Sequence, residues 1–120
     1  GNATADFLAV AGADVDVITR VFVWSASAEP SVVQFGEEVN NAGGLTASLT
    51  GTTADNPVIA AASIRASPLT LTGVTEDFSG VYLGRERSAG RNANAAGGDI
   101  TITATGASIS VLISAEIGVA

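Results

Sequence analysis

Acid–base and metal chemistry in this chain falls to its carboxylates, because the 120 residues include no His, Cys, Lys or Met. A Ser or Cys nucleophile is normally activated by imidazole, which titrates near neutrality, and that base is missing. A phosphate-cradling loop ending in Lys-Ser or Lys-Thr is excluded with it. Two carboxyl groups alone can hydrolyse a glycosidic bond, one as acid and one as base or nucleophile. The candidates are Glu37, Glu38, Glu76, Asp77, Glu86 and Glu116. With one Trp, one Tyr and four Phe, the chain has few aromatic platforms for a sugar cleft, so no catalytic residue is expected. A cation would have oxygen ligands only, from Asp14 and Asp16 on one strand face or from Glu76 and Asp77. No dedicated Ca²⁺ loop surrounds either pair, and neither a metal nor a cofactor is expected.

The other charged grouping is cationic. Three of the five Arg residues fall in Arg85-Glu86-Arg87-Ser88-Ala89-Gly90-Arg91, and a Gly-, Ala- and Asn-rich run follows to Gly98. The composition predicts a polar loop at about 84–98. Guanidinium forks pair bidentately with carboxylates and are favoured at interfaces. Arg85, Glu86, Arg87 and Arg91 are therefore the expected contacts with an acidic protein partner. Phe22, Trp24, Phe35 and Phe78 are expected to pack the core or anchor an interface. A net charge of −7 removes the counterion-release drive for nucleic-acid binding. No apolar run of about 20 residues is present to cross a membrane as a helix. Gly1 to Asp6 lack the basic and apolar regions of a secretory signal. Asn2-Ala3-Thr4 fits the glycosylation pattern, which chance alone often produces.

The elements that must position these residues are strands. From Asp14 to Trp24, Val15, Val17, Thr19, Val21 and Val23 share one parity, and the stretch is rich in β-branched and aromatic residues. Toward the C-terminus, Ile109, Val111, Ile113, Ala115, Ile117 and Val119 alternate with mostly hydroxyl-bearing residues. Shorter strands are predicted at Asp6 to Val10, Ser31 to Phe35, Leu45 to Thr50, Val58 to Arg65, Leu69 to Thr72, Ser79 to Leu83 and Asp99 to Thr105. Turn signals at Ala11-Gly12, Asn40 to Gly44, Asp55-Asn56-Pro57, Ser79-Gly80 and Gly97-Gly98-Asp99 separate them. Helix competes at the Ala-rich Ile59 to Ala66 and for one turn at Glu37 to Asn40. The pattern predicts an all-β single domain over 1–120, an antiparallel β-sandwich or jelly-roll-like barrel of about eight to nine short strands.

Three segments end alike: Leu45 to Gly51, Leu69 to Gly73 and Ile100 to Gly106, each alternating apolar residues with Thr or Ser before a closing Gly. Such ladders can contact ice or carbohydrate in flat solenoids, but the spacing lacks a fixed repeat and fits ordinary solvated strand faces.

A charged fraction of 14%, against roughly 25% in ordinary domains, leaves a weakly charged surface suited to coverage by neighbouring subunits. This Lys-free, Ala/Gly/Thr/Val-rich chain, with Gly1 at one end and an apolar strand running to Ala120 at the other, resembles small virion proteins of tailed bacteriophages. The similarity is to capsid decoration or cement proteins and is compositional, so no site residue is transferred from it. It implies a homo-oligomer, a trimer for preference, that binds a major capsid protein or other lattice subunit on the capsid exterior. The alternative is an extracellular filament or pilus subunit, in which Asp6 to Val10 or Ile109 to Val119 completes a neighbour's sheet. A third reading is a carbohydrate-binding module using Trp24 and Tyr82.

Overall fold

The computed structural model describes residues 29–40, 44–82 and 84–119, without the side chains at 40, 65–67, 82 and 107–110. The expected strands Asp6 to Val10 and Asp14 to Trp24, with the Asp14 and Asp16 pair, lie outside the described residues. Within them the regular elements are all strands: β1 (Ser31–Asn40), β2 (Leu45–Thr52), β3 (Val58–Thr72), β4 (Thr75–Tyr82), β5 (Arg85–Asn92) and β6 (Gly98–Gly118).

β6 is the hub, flanked by β1 and β2 on one side and by β3 on the other, all antiparallel. β5 continues the sheet from β3, and β4 from β5. β1 pairs with the second half of β6 and β2 with its first half. Yet these two strands touch: the Gln34 side-chain amide donates to the Thr50 carbonyl at 3.0 Å and accepts from the Thr50 N–H at 3.3 Å. Strands laid end to end along one flank can meet only if β6 folds back between its halves. β3 turns with it, through register shifts between Ile64 and Ala66 and between Ala66 and Thr70. Corners of this kind let one strand serve two layers. The large layer is β1, the second half of β6, the first half of β3, β5 and β4; the small layer is β2, the first half of β6 and the second half of β3. The all-β sandwich read from the sequence is thus the observed architecture.

Alternation fills the space between the layers. Leu45, Ala47 and Leu49 of β2, Leu69 and Leu71 of β3, and Ile102 and Ala104 of β6 meet Val58, Ala60, Ala62 and Ile64 of β3 and Leu112 of β6 in one buried cluster. Each Leu or Ile fully buried there contributes about 1.5–3 kcal/mol. Across the inner face of the large layer runs a row of small residues, Gly36, Ser114, Ala60 and Gly90. A Cβ on Gly36 would lie 3.7 Å from that of Ala47, so the layers meet closely here. At the β3–β4 turn Gly73 has φ +85°, and a Cβ there would collide with the Thr101 carbonyl.

Several sequence expectations are corrected. The polar loop at about 84–98 is largely strand: β5 occupies Arg85–Asn92, paired on both sides, and only the turn to β6 remains. Its Ser and Gly residues, unpromising as strand formers, face the inner layer where little volume fits; a Cβ on Gly90 would strike the Thr75 carbonyl. Ser79-Gly80 lies inside β4; Val58 to Arg65 is strand as expected, over the competing helix at Ile59 to Ala66, but it and Leu69 to Thr72 are one bent strand. Glu37 to Asn40 extends β1. The described core holds no aromatic residue: Phe35 and Phe78 are exposed, and Phe22 and Trp24 lie outside the described residues.

One end of the sandwich is closed by a buried carboxylate. Glu116 is 1% exposed. Its Oε1 accepts from the Thr53 N–H and the Asn56 side-chain amide, both at 2.9 Å, and its Oε2 accepts from the Gln34 amide at 2.6 Å. Burial pushes its pKa up, but the donors Asn56, Thr53 and Gln34 together outweigh that and hold it below the ordinary glutamate value. Asn94, in the left-handed region at φ 56°, ties the two neighbouring turns by donating to the Thr53 and Asn56 carbonyls, both at 2.9 Å.

A carboxylate whose folded pKa is depressed adds stability that is complete above its unfolded pKa and is lost as pH falls through the folded one. Denaturant midpoints should therefore hold steady at neutral pH and decline below the ordinary carboxylate range. Glu116→Gln leaves two amide groups donating toward each other at Gln34; it should cost about 1–3 kcal/mol at pH 7 and flatten the acid limb of that curve.

Candidate functional site: two unlike outer faces

The expected partner-binding residues divide by strand alternation. Arg85, Arg87 and Arg91 share one face of β5, while Glu86 projects from the other and accepts the Leu69 N–H at 3.0 Å. Glu86 thus links the layers instead of joining an Arg cluster. Arg87 is only 9% exposed, and its guanidinium contacts the Arg85 carbonyl at 3.4 Å. Arg91 is open to solvent and pairs with Asp77 at 3.5 Å.

The outward face of the large layer carries cross-strand rows. One runs Glu37, Ile113, Ala61, Ala89 and Phe78 through all its strands. On one side of it lie Phe35, Ala115, Ile59 and Arg91; on the other lie Val39, Val111, Ser63 and Arg87. Four large apolar side chains on this face remain open: Phe35 at 76%, Val39 at 63%, Ile113 at 50% and Phe78 at 44%. Phe35, Val39 and Ile113 are neighbours on β1 and β6, whereas Phe78 lies on β4 beyond the buried Ala89; scattered apolar side chains are normal on a surface, but a grouped set marks contact with something. Sequence reasoning named Phe35 and Phe78 and passed over Val39 and Ile113. The signal for these was the alternation of the β6 stretch, which leaves an apolar parity facing out once its other parity is inside.

The outward face of the small layer is its opposite in chemistry. The three Thr-x-Thr segments, distant in sequence, are its adjacent strands. Thr46 pairs with Thr103 and Thr103 with Thr72; Ser48 pairs with Thr101, and Thr105 with Thr70. Except for half-buried Thr103, these hydroxyl side chains are exposed. The convergence was signalled by the shared pattern of three segments ending in Gly, a cue that fixes composition but not adjacency.

The carboxylates considered for glycoside chemistry do not converge. Glu116 is held by three donors, Glu76 accepts from the buried Ser88 hydroxyl, Asp77 faces Arg91, Glu86 holds the Leu69 amide, and Glu37 and Glu38 are exposed on successive positions of β1. Among the described residues no three His, Cys, Asp or Glu side chains group to hold a metal ion.

Because Phe35 and Val39 are exposed, Phe35→Ser and Val39→Ser should each change unfolding free energy by no more than about 0.5 kcal/mol. Leu112→Ala, in the core, should cost about 2–5 kcal/mol, and urea titration of the three variants reads the difference. No protein-family model, curated protein or solved structure matches the chain.

Proposed function

We propose that the protein is a non-enzymatic structural component of a virus particle, a capsid decoration protein that binds neighbouring subunits through the outward face of its large layer. The observation that carries the reading is the unlikeness of the two outer faces. One is neutral and hydroxyl-bearing, as suits solvent; the other exposes Phe35, Val39 and Ile113 toward its β1 side and Phe78 with Arg91 toward its β4 side. Apolar anchors with Arg at their side are the usual make-up of an interface core. The partners are further copies of the chain, in a closed oligomer such as a trimer, and a lattice protein with carboxylates opposite Arg91.

The filament reading loses one of its donors. Within Ile109 to Val119, Ser110 to Glu116 pair on both flanks, with β1 and with β3, and have no free edge to give. Asp6 to Val10, the other donor considered, and Trp24 of the carbohydrate reading lie outside the described residues.

Light scattering after size exclusion tests the proposal. A discrete closed oligomer at low and high salt is expected, and Phe35→Ser with Ile113→Ser should reduce it to a folded monomer. Concentration-dependent fibres would favour the filament subunit, and a clean wild-type monomer would sink both readings.

A further inference from the structure

We infer that the buried polar cap at the β2–β3 turn is a site of self-cleavage, where the Asn56 side-chain amide attacks its own main-chain carbonyl and cuts the chain before Pro57. The inference goes beyond the docking reading and does not depend on it.

Three groups meet there in the roles this reaction needs. Asn56 Nδ2, the nucleophile, donates to the Glu116 carboxylate at 2.9 Å, so a base stands at the nitrogen that must lose a proton. The Asn56 main-chain oxygen, on which negative charge develops, accepts from the Asn94 side-chain amide at 2.9 Å. The bond to be cut leads to Pro57, whose nitrogen carries no hydrogen. The common route of asparagine ageing, in which the next residue's N–H attacks the side chain, is therefore closed. Attack of the side chain on the main chain remains.

The backbone on both sides of the bond is fixed. The Asn56 N–H donates to the Thr53 carbonyl at 3.1 Å, and the Pro57 carbonyl accepts from the Ile117 N–H at 2.9 Å. The preceding Asp55 lies in the left-handed region at φ 66°, which a residue other than Gly keeps only where its surroundings enforce it. Asn56 and Glu116 are both buried, which keeps bulk water from competing.

The step balances without a further reactant. Asn56 Nδ2 gives one proton to Glu116 as it bonds to the Asn56 carbonyl carbon. The bond from that carbon to the Pro57 nitrogen then breaks, and Glu116 returns the proton to this nitrogen. The products are residues 1–56, ending in a cyclic imide, and residues 57–120, beginning with the free amine of Pro57. β1 and β2 fall in the first piece and β3 to β6 in the second, so the ladders to β6 hold the cut molecule together.

Denaturing mass spectrometry of the full chain during warm incubation at neutral pH tests this, with the same chain unfolded in urea as reference. The folded chain should yield the two pieces about a hundredfold faster than the unfolded one. Their masses should at first sum to that of the intact chain, because the step consumes no water. Glu116→Gln and Asn94→Ala should each slow the cut about a hundredfold. Leu112→Ala, which loosens the core and touches none of the three groups, should leave the rate of the folded chain unchanged. Cleavage no faster in the folded chain than in the unfolded one overturns the inference. So do pieces that carry an added water from the outset, a folded Glu116→Gln chain that cuts at the wild-type rate, or a loss that Leu112→Ala reproduces.

Discussion

The carboxylate of Glu116, buried at one end of the sandwich, constrains where the chain can go. Removing the Glu116 carboxylate from water costs several kcal/mol unless its oxygens are satisfied. Here the compensation comes from three donors, on β1, in the β2–β3 turn and at the start of that turn, with no cation among them. A hydrogen bond to a charged acceptor is worth about 1.5–3 kcal/mol, but only at the right distance and angle. The three segments are therefore fixed relative to β6 together. Thr52 extends the same end, its hydroxyl donating to the Gly98 carbonyl at 2.6 Å, and the Gly51 N–H reaches Asp99 at 2.8 Å. Apolar packing supplies the bulk of the stability; the polar cap selects the register in which it is realised.

The same economy recurs at the edges. Gln34 serves twice, as a donor to Glu116 and as a side-chain substitute for a neighbouring strand beside Thr50. Glu86, expected to sit among arginines, instead seals the margin of the small layer. Side chains that satisfy backbone groups in this way make an edge less available to other chains. The layers consequently differ in what they offer outside: hydroxyls over sealed edges on one, exposed Phe35, Val39, Ile113 and Phe78 on the other.

Much of this was legible in the residues because period-two alternation is a local property. Leu45-Thr46-Ala47-Ser48-Leu49 states its own inside and outside, and β2 follows it. β5 was not legible, since Arg-Glu-Arg-Ser-Ala-Gly-Arg-Asn has weak strand propensity and gains its conformation from β3 and β4 on either side. The bends in β3 and β6 escaped for a related reason: Gly106 read as the close of a strand, whereas β6 runs on through it. For the site, individual aromatics could be named, but which face they shared depended on neighbours remote in sequence. Glu116, one acidic residue in an apolar strand, gave no sign of its donors.

The position of β6 in the chain order bears on how the protein is made. β1, β2 and β3 all precede it, and each takes β6 as a ladder partner. Until Gly98–Gly118 has left the ribosome, β1 and β2 have no described strand to pair with, and β3 has only β5. Pairings over such sequence separations are slow to form, because the loop must close before the contacts repay it. Among the described strands, β1 and β2 thus wait for β6, and β3, β4 and β5 are the part that can associate early. The chain's surplus of negative charge then has a second use, keeping nascent chains apart until the hub strand arrives.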